Sequence, residues 1–92
     1  GHFFYRRIDR RIEDVDKERL IERLKSAPPA EIDGRRVVAA NFSDGFKFIF
    51  ENADWLLIRP SGTEPVLRLY SEACLPEQVD RLLRAAGMIA GA

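Results

Sequence analysis

The chain has 92 residues, 46% of them hydrophobic, with 15 Lys and Arg against 15 Asp and Glu and a formal net charge of zero. That length holds one core in one domain, residues 1–92, and leaves too little chain for the several walls that usually enclose an active site. Balanced charge argues against the basic excess with which nucleic acid or a membrane surface is usually met, so any anion site must be local.

In chain order, FFYRRI at residues 3–8 is rich in β-formers before the sequence turns polar, and reads as a short strand. DRRIEDVDKERLIERLKSAPP then reads as an amphipathic helix beginning near Asp16. Asp16 is the expected cap, Val15 and Leu20 have the spacing of a hydrophobic staple, and Leu20, Ile21 and Leu24 recur at helical intervals before Pro28 and Pro29 stop it. Its charged residues read as a solvated face. After EIDG the pattern becomes β: RRVVAANF, FKFIF, WLLIR and VLRLYSEA are separated by SDG, ENAD and PSGTEP, each a turn composition. Four strands in meander order are expected, with Phe46, Phe48 and Phe50 alternating onto a core face, Trp55 a core or interface residue, and Arg35 and Arg36 solvated. In PEQVDRLLRAAGMIA, Val79, Leu82, Leu83, Ala86 and Ile89 share one helical stripe that Pro76 opens and that packs Met88 in or beside the core. Leu75 offers no side-chain cap to that helix. The order β-α-β-β-β-β-α, without parallel βαβ alternation, predicts an α+β fold: a mainly antiparallel sheet with two helices on one face.

The segment RPSGTEP at 59–65 carries more chemistry than a hairpin needs. If Arg59 stands opposite Val66, then Arg59 and Arg68 share a face as diagonal neighbours roughly 7–8 Å apart, a spacing that suits two cations gripping one anion. Ser61 and Thr63 add hydroxyls, Gly62 admits a ligand close to the backbone, and Pro60 and Pro65 stiffen both edges of the loop. Glu64 has three open readings: a brace for Arg59 or Arg68, an acceptor for the loop backbone, or a contact to a sugar hydroxyl. The plainer alternative is an ornate hairpin whose arginines pair with Glu64 and Glu72. Tyr70 lies on the same strand face as Arg68.

RPSGTEPVLRLYSEA closely resembles the phosphate-binding loop in the C-terminal domain of the α-D-phosphohexomutase superfamily, which includes phosphoglucomutase and phosphomannomutase. DGFKFIFENADWLLIRPSGTEP extends the likeness upstream, and the element order resembles that TBP-like domain over essentially the whole chain. The resemblance implies that Arg59, Ser61, Gly62 and Thr63, with Arg68 a further candidate and Glu64 in support, hold the non-reacting phosphate of a hexose phosphate. It further implies a longer parent enzyme, an intramolecular phosphotransferase whose preceding domains supply a phosphoserine and Mg²⁺. No T-A-S-H-N-P-like, D-x-D-x-D-R or G-E-x-S-G segment occurs in this chain, so the fragment alone is expected to be inactive, with no catalytic residue, metal or cofactor of its own. Binding energy at the remote phosphate would then position the reacting end.

Two other readings remain in view: an independent phosphate-sensing or interaction domain, and an RNA-binding module suggested by the aromatic DGFKFIF strand. Asp44 and Lys47 stand where an RNA-recognition strand has a basic and a small residue. Cys74 has no partner cysteine and reads as a buried or idle thiol in a reducing, cytoplasmic setting. No run approaches the ~20 apolar residues of a membrane span, and no signal-peptide pattern is present. Gly1 and His2 read as a tag scar, and His2, the only histidine, receives no catalytic role.

Overall fold

The computed structural model describes residues 2–91; the tag-scar reading of Gly1 lies outside them. Eight elements follow in order: β1 (Phe4–Arg11), α1 (Asp14–Ser26), β2 (Glu31–Ile32), β3 (Arg35–Asn41), β4 (Phe46–Phe50), β5 (Trp55–Pro60), β6 (Val66–Ala73) and α2 (Pro76–Gly91). The strands form one antiparallel sheet ordered β1-β6-β5-β4-β3-β2. The expected α+β order holds, with the two-residue β2 added where Asp33 and Gly34, both at positive φ, make a two-residue hairpin turn.

Alternation decides which side is covered. Phe46, Phe48 and Phe50, Leu56 and Ile58, and Leu67 and Leu69 form one buried face, closed by Leu20 and Leu24 of α1 and by Val79, Leu82, Leu83 and Ala86 of α2. Phe48 is fully buried, so this phenylalanine row is core and is not available to stack bases. The other face carries Arg7, Tyr70, Leu57 and Lys47 in one row across four strands, and Asp9, Arg68 and Arg59 in the next.

Several expectations are corrected. β1 runs on to Arg11 because it pairs with β6 along its whole length, and sequence pattern cannot show that partner. Helix α1 starts at Asp14, with Glu13 at the cap position and no side-chain cap bond, so Asp16 is not the cap; its carboxylate still lies in the first turn, with Asp14, where the helix dipole favours it. Val15 is exposed and forms no staple, and Met88 of α2 is exposed rather than packed. At the start of α2 the Leu75 carbonyl accepts from the N–H groups of Gln78 and Val79, while Pro76 has no N–H to satisfy. The other end of α2 has no basic residue of its own in its last turn. Arg10 of β1 donates to the Gly87 carbonyl at 2.8 Å, and Arg23 of α1 donates to that of Ile89.

Arg35 is also not the solvated residue expected. It donates to the Asp54 carboxylate at 2.9 Å, and Asp54 is fully buried in the β4–β5 turn, where it also accepts from the Cys74 N–H at 3.0 Å. Burial pushes the Asp54 carboxyl up. Arg35 and the Cys74 N–H outweigh that and hold it below the ordinary carboxylate range. Burial first, then a hydrogen bond to Asp54 and the Asp54 charge, pushes the Cys74 thiol up, which leaves it less reactive than a free thiol.

Candidate anion-binding site

Strands β5 and β6 are joined by residues 61–65, and the register differs from expectation. Arg59 is directly opposite Arg68, with Pro60 opposite Leu67, a slip of two residues from the alignment of Arg59 with Val66. Because the slip is even, both arginines stay on one face, and direct opposition brings their Cβ atoms to about 4.5–5.5 Å rather than a diagonal separation. The extra residues are taken up by the loop, where the Ser61 N–H donates to the Val66 carbonyl at 3.0 Å and the Val66 N–H to that of Glu64 at 2.8 Å.

The two guanidiniums are held differently. Arg59 donates to Asp44 in the β3–β4 turn at 3.2 Å and lies over the Tyr70 ring, 5.5 Å from its centroid. Arg7 also lies over the half-buried Tyr70 ring, 5.7 Å from its centroid, so this one ring meets two cations. Arg68 has Glu64 at 3.9 Å, and its Nε–H is buried with no hydrogen-bond partner among the described residues. Of the three readings of Glu64, the side chain follows the one that braces Arg68. Its carbonyl meets the loop backbone. Glu72 does not pair with either arginine; it accepts from Trp55 Nε1 at 3.3 Å, while Lys47 covers the Trp55 ring at 4.5 Å.

Ser61 is nearly buried, and its hydroxyl oxygen accepts from the N–H groups of Glu64 at 3.2 Å and Thr63 at 3.4 Å. This is a serine turn that shapes the loop, and the hydroxyl proton remains for donation. Gly62 and Thr63 are exposed, a Cβ placed on Gly62 would meet nothing within 4 Å, and the Gly62 N–H makes no hydrogen bond among the described residues. A cleft of about 620 Å³ opens here, lined by Arg59, Ser61, Gly62, Thr63 and Arg68. The structure thus brings five of the sequence candidates to one wall, with Glu64 behind Arg68.

Four further residues escaped sequence reasoning. Lys25 of α1, Ser43 and Asp44 line the same cleft, giving three cations against one carboxylate in a chain of zero net charge. Gly45, at φ +94°, packs so closely that a Cβ would lie 3.0 Å from the Ile58 carbonyl oxygen and 3.1 Å from Arg59 Cβ. The S-D-G triplet signals a turn, and nothing in it signals that the turn abuts Arg59. Among the described residues no three His, Cys, Asp or Glu side chains converge as metal ligands. Among the described residues no helix is long and apolar enough to cross a membrane.

Residues 10–86 match the family model described as phosphoglucomutase/phosphomannomutase, C-terminal domain. The chain is similar to a probable phosphomannomutase of Haemophilus influenzae, 36% identical over 90% of this chain and 19% of that protein. It is 35% identical to a probable phosphoglucosamine mutase of Pyrococcus horikoshii, over 76% of this chain and 15% of the relative. A phosphopentomutase of Thermococcus kodakarensis is 43% identical over 46% of this chain and 9% of its own length. The chain therefore spans less than a fifth of the length of these curated relatives.

Proposed function

Because the chain belongs to the phosphoglucomutase/phosphomannomutase C-terminal domain family, we propose that it is the substrate-phosphate grip of a longer phosphohexomutase that isomerises sugar phosphates by phosphoryl transfer. The observation that carries this reading is the direct opposition of Arg59 and Arg68 beside a loop whose Gly62 N–H has no partner among the described residues. Two like charges held face to face repel unless an anion lies between them, and a phosphate supplies enough oxygens for both guanidiniums and the loop donors. Each charge-assisted hydrogen bond is worth about 1.5–3 kcal/mol before ordering costs.

In this reading Arg59 and Arg68 neutralise the non-reacting phosphate, while the Gly62 N–H, the Ser61 hydroxyl and Thr63 fix its orientation. The names of the relatives differ in the sugar, glucosamine, mannose or pentose, and agree in the phosphate group, which is the part these residues suit. The phosphoserine and Mg²⁺ that the resemblance implies would be supplied by other segments of the parent enzyme. This chain's share of catalysis is binding energy: a phosphate seized at the remote end holds the reacting end in place.

Titration of the ¹⁵N-labelled chain with inorganic phosphate and with glucose 1-phosphate tests the grip. The amides of Gly62 and Thr63 should shift first, and movement confined to distant amides would place the site elsewhere. A coupled phosphoglucomutase assay on the chain should give no turnover; turnover that copurifies with it would sink the division of labour.

A further inference from the structure

Lys17 lies on the first turns of α1, where the sequence pattern suggests only solvated charge. It is 9% exposed. Its Nζ donates to the Ser61 carbonyl at 2.8 Å and to the Glu64 carbonyl at 3.0 Å, and lies 3.5 Å from the exposed Asp14 carboxylate. An ammonium has three donors; the two carbonyls take two of them, and Asp14 supplies an opposite charge nearby.

We propose that Lys17 is the positioning residue of the anion loop, a clasp that sets the direction in which the loop presents its donors; this rests on the phosphate-binding reading of that loop. The two carbonyls it holds belong to the first and last residues of the S-G-T-E turn, so one ammonium closes the turn across its ends. A trans peptide is planar, with its C=O and N–H on opposite sides. Anchoring the Ser61 carbonyl on Lys17 therefore turns the N–H of Gly62 away from that ammonium, and this N–H is the unpartnered one. The Glu64 carbonyl precedes Pro65, which has no N–H. Holding it fixes only the path back into β6, where the same carbonyl accepts from Val66.

The test uses Lys17→Met, which keeps a long apolar stem and removes the donors, and Lys17→Arg, which keeps charge and donors in another shape. In Lys17→Met without ligand, hydrogen exchange of the hydrogen-bonded amides of Ser61, Thr63, Glu64 and Val66 should rise about tenfold, with residues 43–45 unchanged as an internal control. Inorganic phosphate should bind about tenfold more weakly, and Lys17→Arg should recover part of both losses. Lys17→Gln, able to reach a single carbonyl, serves the same comparison if the methionine variant does not fold. Wild-type exchange and wild-type phosphate affinity in a folded Met or Gln variant would overturn the proposal. If phosphate fails to shift the loop in the wild-type chain, the phosphate reading falls, while the exchange comparison still decides whether Lys17 holds the loop.

Discussion

Arg59 and Arg68 stand directly opposite each other across the β5–β6 pair, on the face of the sheet that neither helix covers. Like charges so placed disfavour the fold. The chain offsets this with an Asp44 partner, a Tyr70 ring and a distant Glu64, contacts at exposed or half-buried sites that are worth about 0–1 kcal/mol each. Contacts that weak yield readily to a stronger anion.

Arg59→Met and Arg68→Met should therefore separate binding from stability. Each is expected to weaken phosphate binding by tenfold or more, in line with about 1.5–3 kcal/mol for a lost charge-assisted hydrogen bond. Without anion, each should change unfolding free energy by no more than about 0.5 kcal/mol. Calorimetric titration and urea unfolding give the two numbers. Unchanged affinity with a large stability loss would make the pair structural.

Gly45→Ala should damage the site through its neighbour. The new Cβ would crowd the Ile58 carbonyl and Arg59 backbone at a positive φ, so something on β5 must shift. A stability loss of about 1–3 kcal/mol is expected, with phosphate affinity falling as well. Gly62→Ala is the contrast: it meets nothing in the free chain, so its stability should hold while a ligand loses close approach to the loop.

Asp54 makes stability depend on acid pH. Its folded carboxyl is held below the ordinary value of 3.8, so its contribution is complete above that value and is lost as pH falls through the lower folded one. Asp54→Asn should cost about 3 kcal/mol at pH 7, because Arg35 loses its buried partner. The gap between variant and wild type should narrow in urea melts taken at successively lower pH, as protonated Asp54 comes to resemble Asn. A gap that is constant down to strongly acid pH would refute this.

Ala53 occupies the left-handed region at φ +69° beside Asp54, where a side chain is strained. Ala53→Gly should relieve that strain and stabilise the chain by about 0.5–1 kcal/mol despite the greater freedom of the unfolded state. Thermal unfolding decides it, and a lower melting temperature would show that the turn tolerates alanine without cost.

Much of the fold was legible because alternation and helical spacing are local. Phe46, Phe48 and Phe50 announced a core face, and Val79, Leu82, Leu83 and Ala86 a helix stripe, before any partner was known. The start of α1 is not legible locally because Asp14 and Asp16 are equally good first-turn residues, and the entry from β1 chooses between them. Met88 has a helical position next to the stripe, yet among the described residues nothing covers it and it is exposed.

The sequence by itself determined the chemistry of residues 59–68: two arginines of one parity, hydroxyls, a glycine and two stiffening prolines. Tertiary structure decided the register and the supports. Alternation fixes only which face a residue takes, so a slip of two residues leaves the pattern unchanged, and pairing along the strands had to settle it. Lys17 reaches carbonyls 44 and 47 residues away. Nothing in a helical charge pattern marks which lysine will be turned inward to close a distant loop, because that choice is made by the packing of α1 against the end of the sheet.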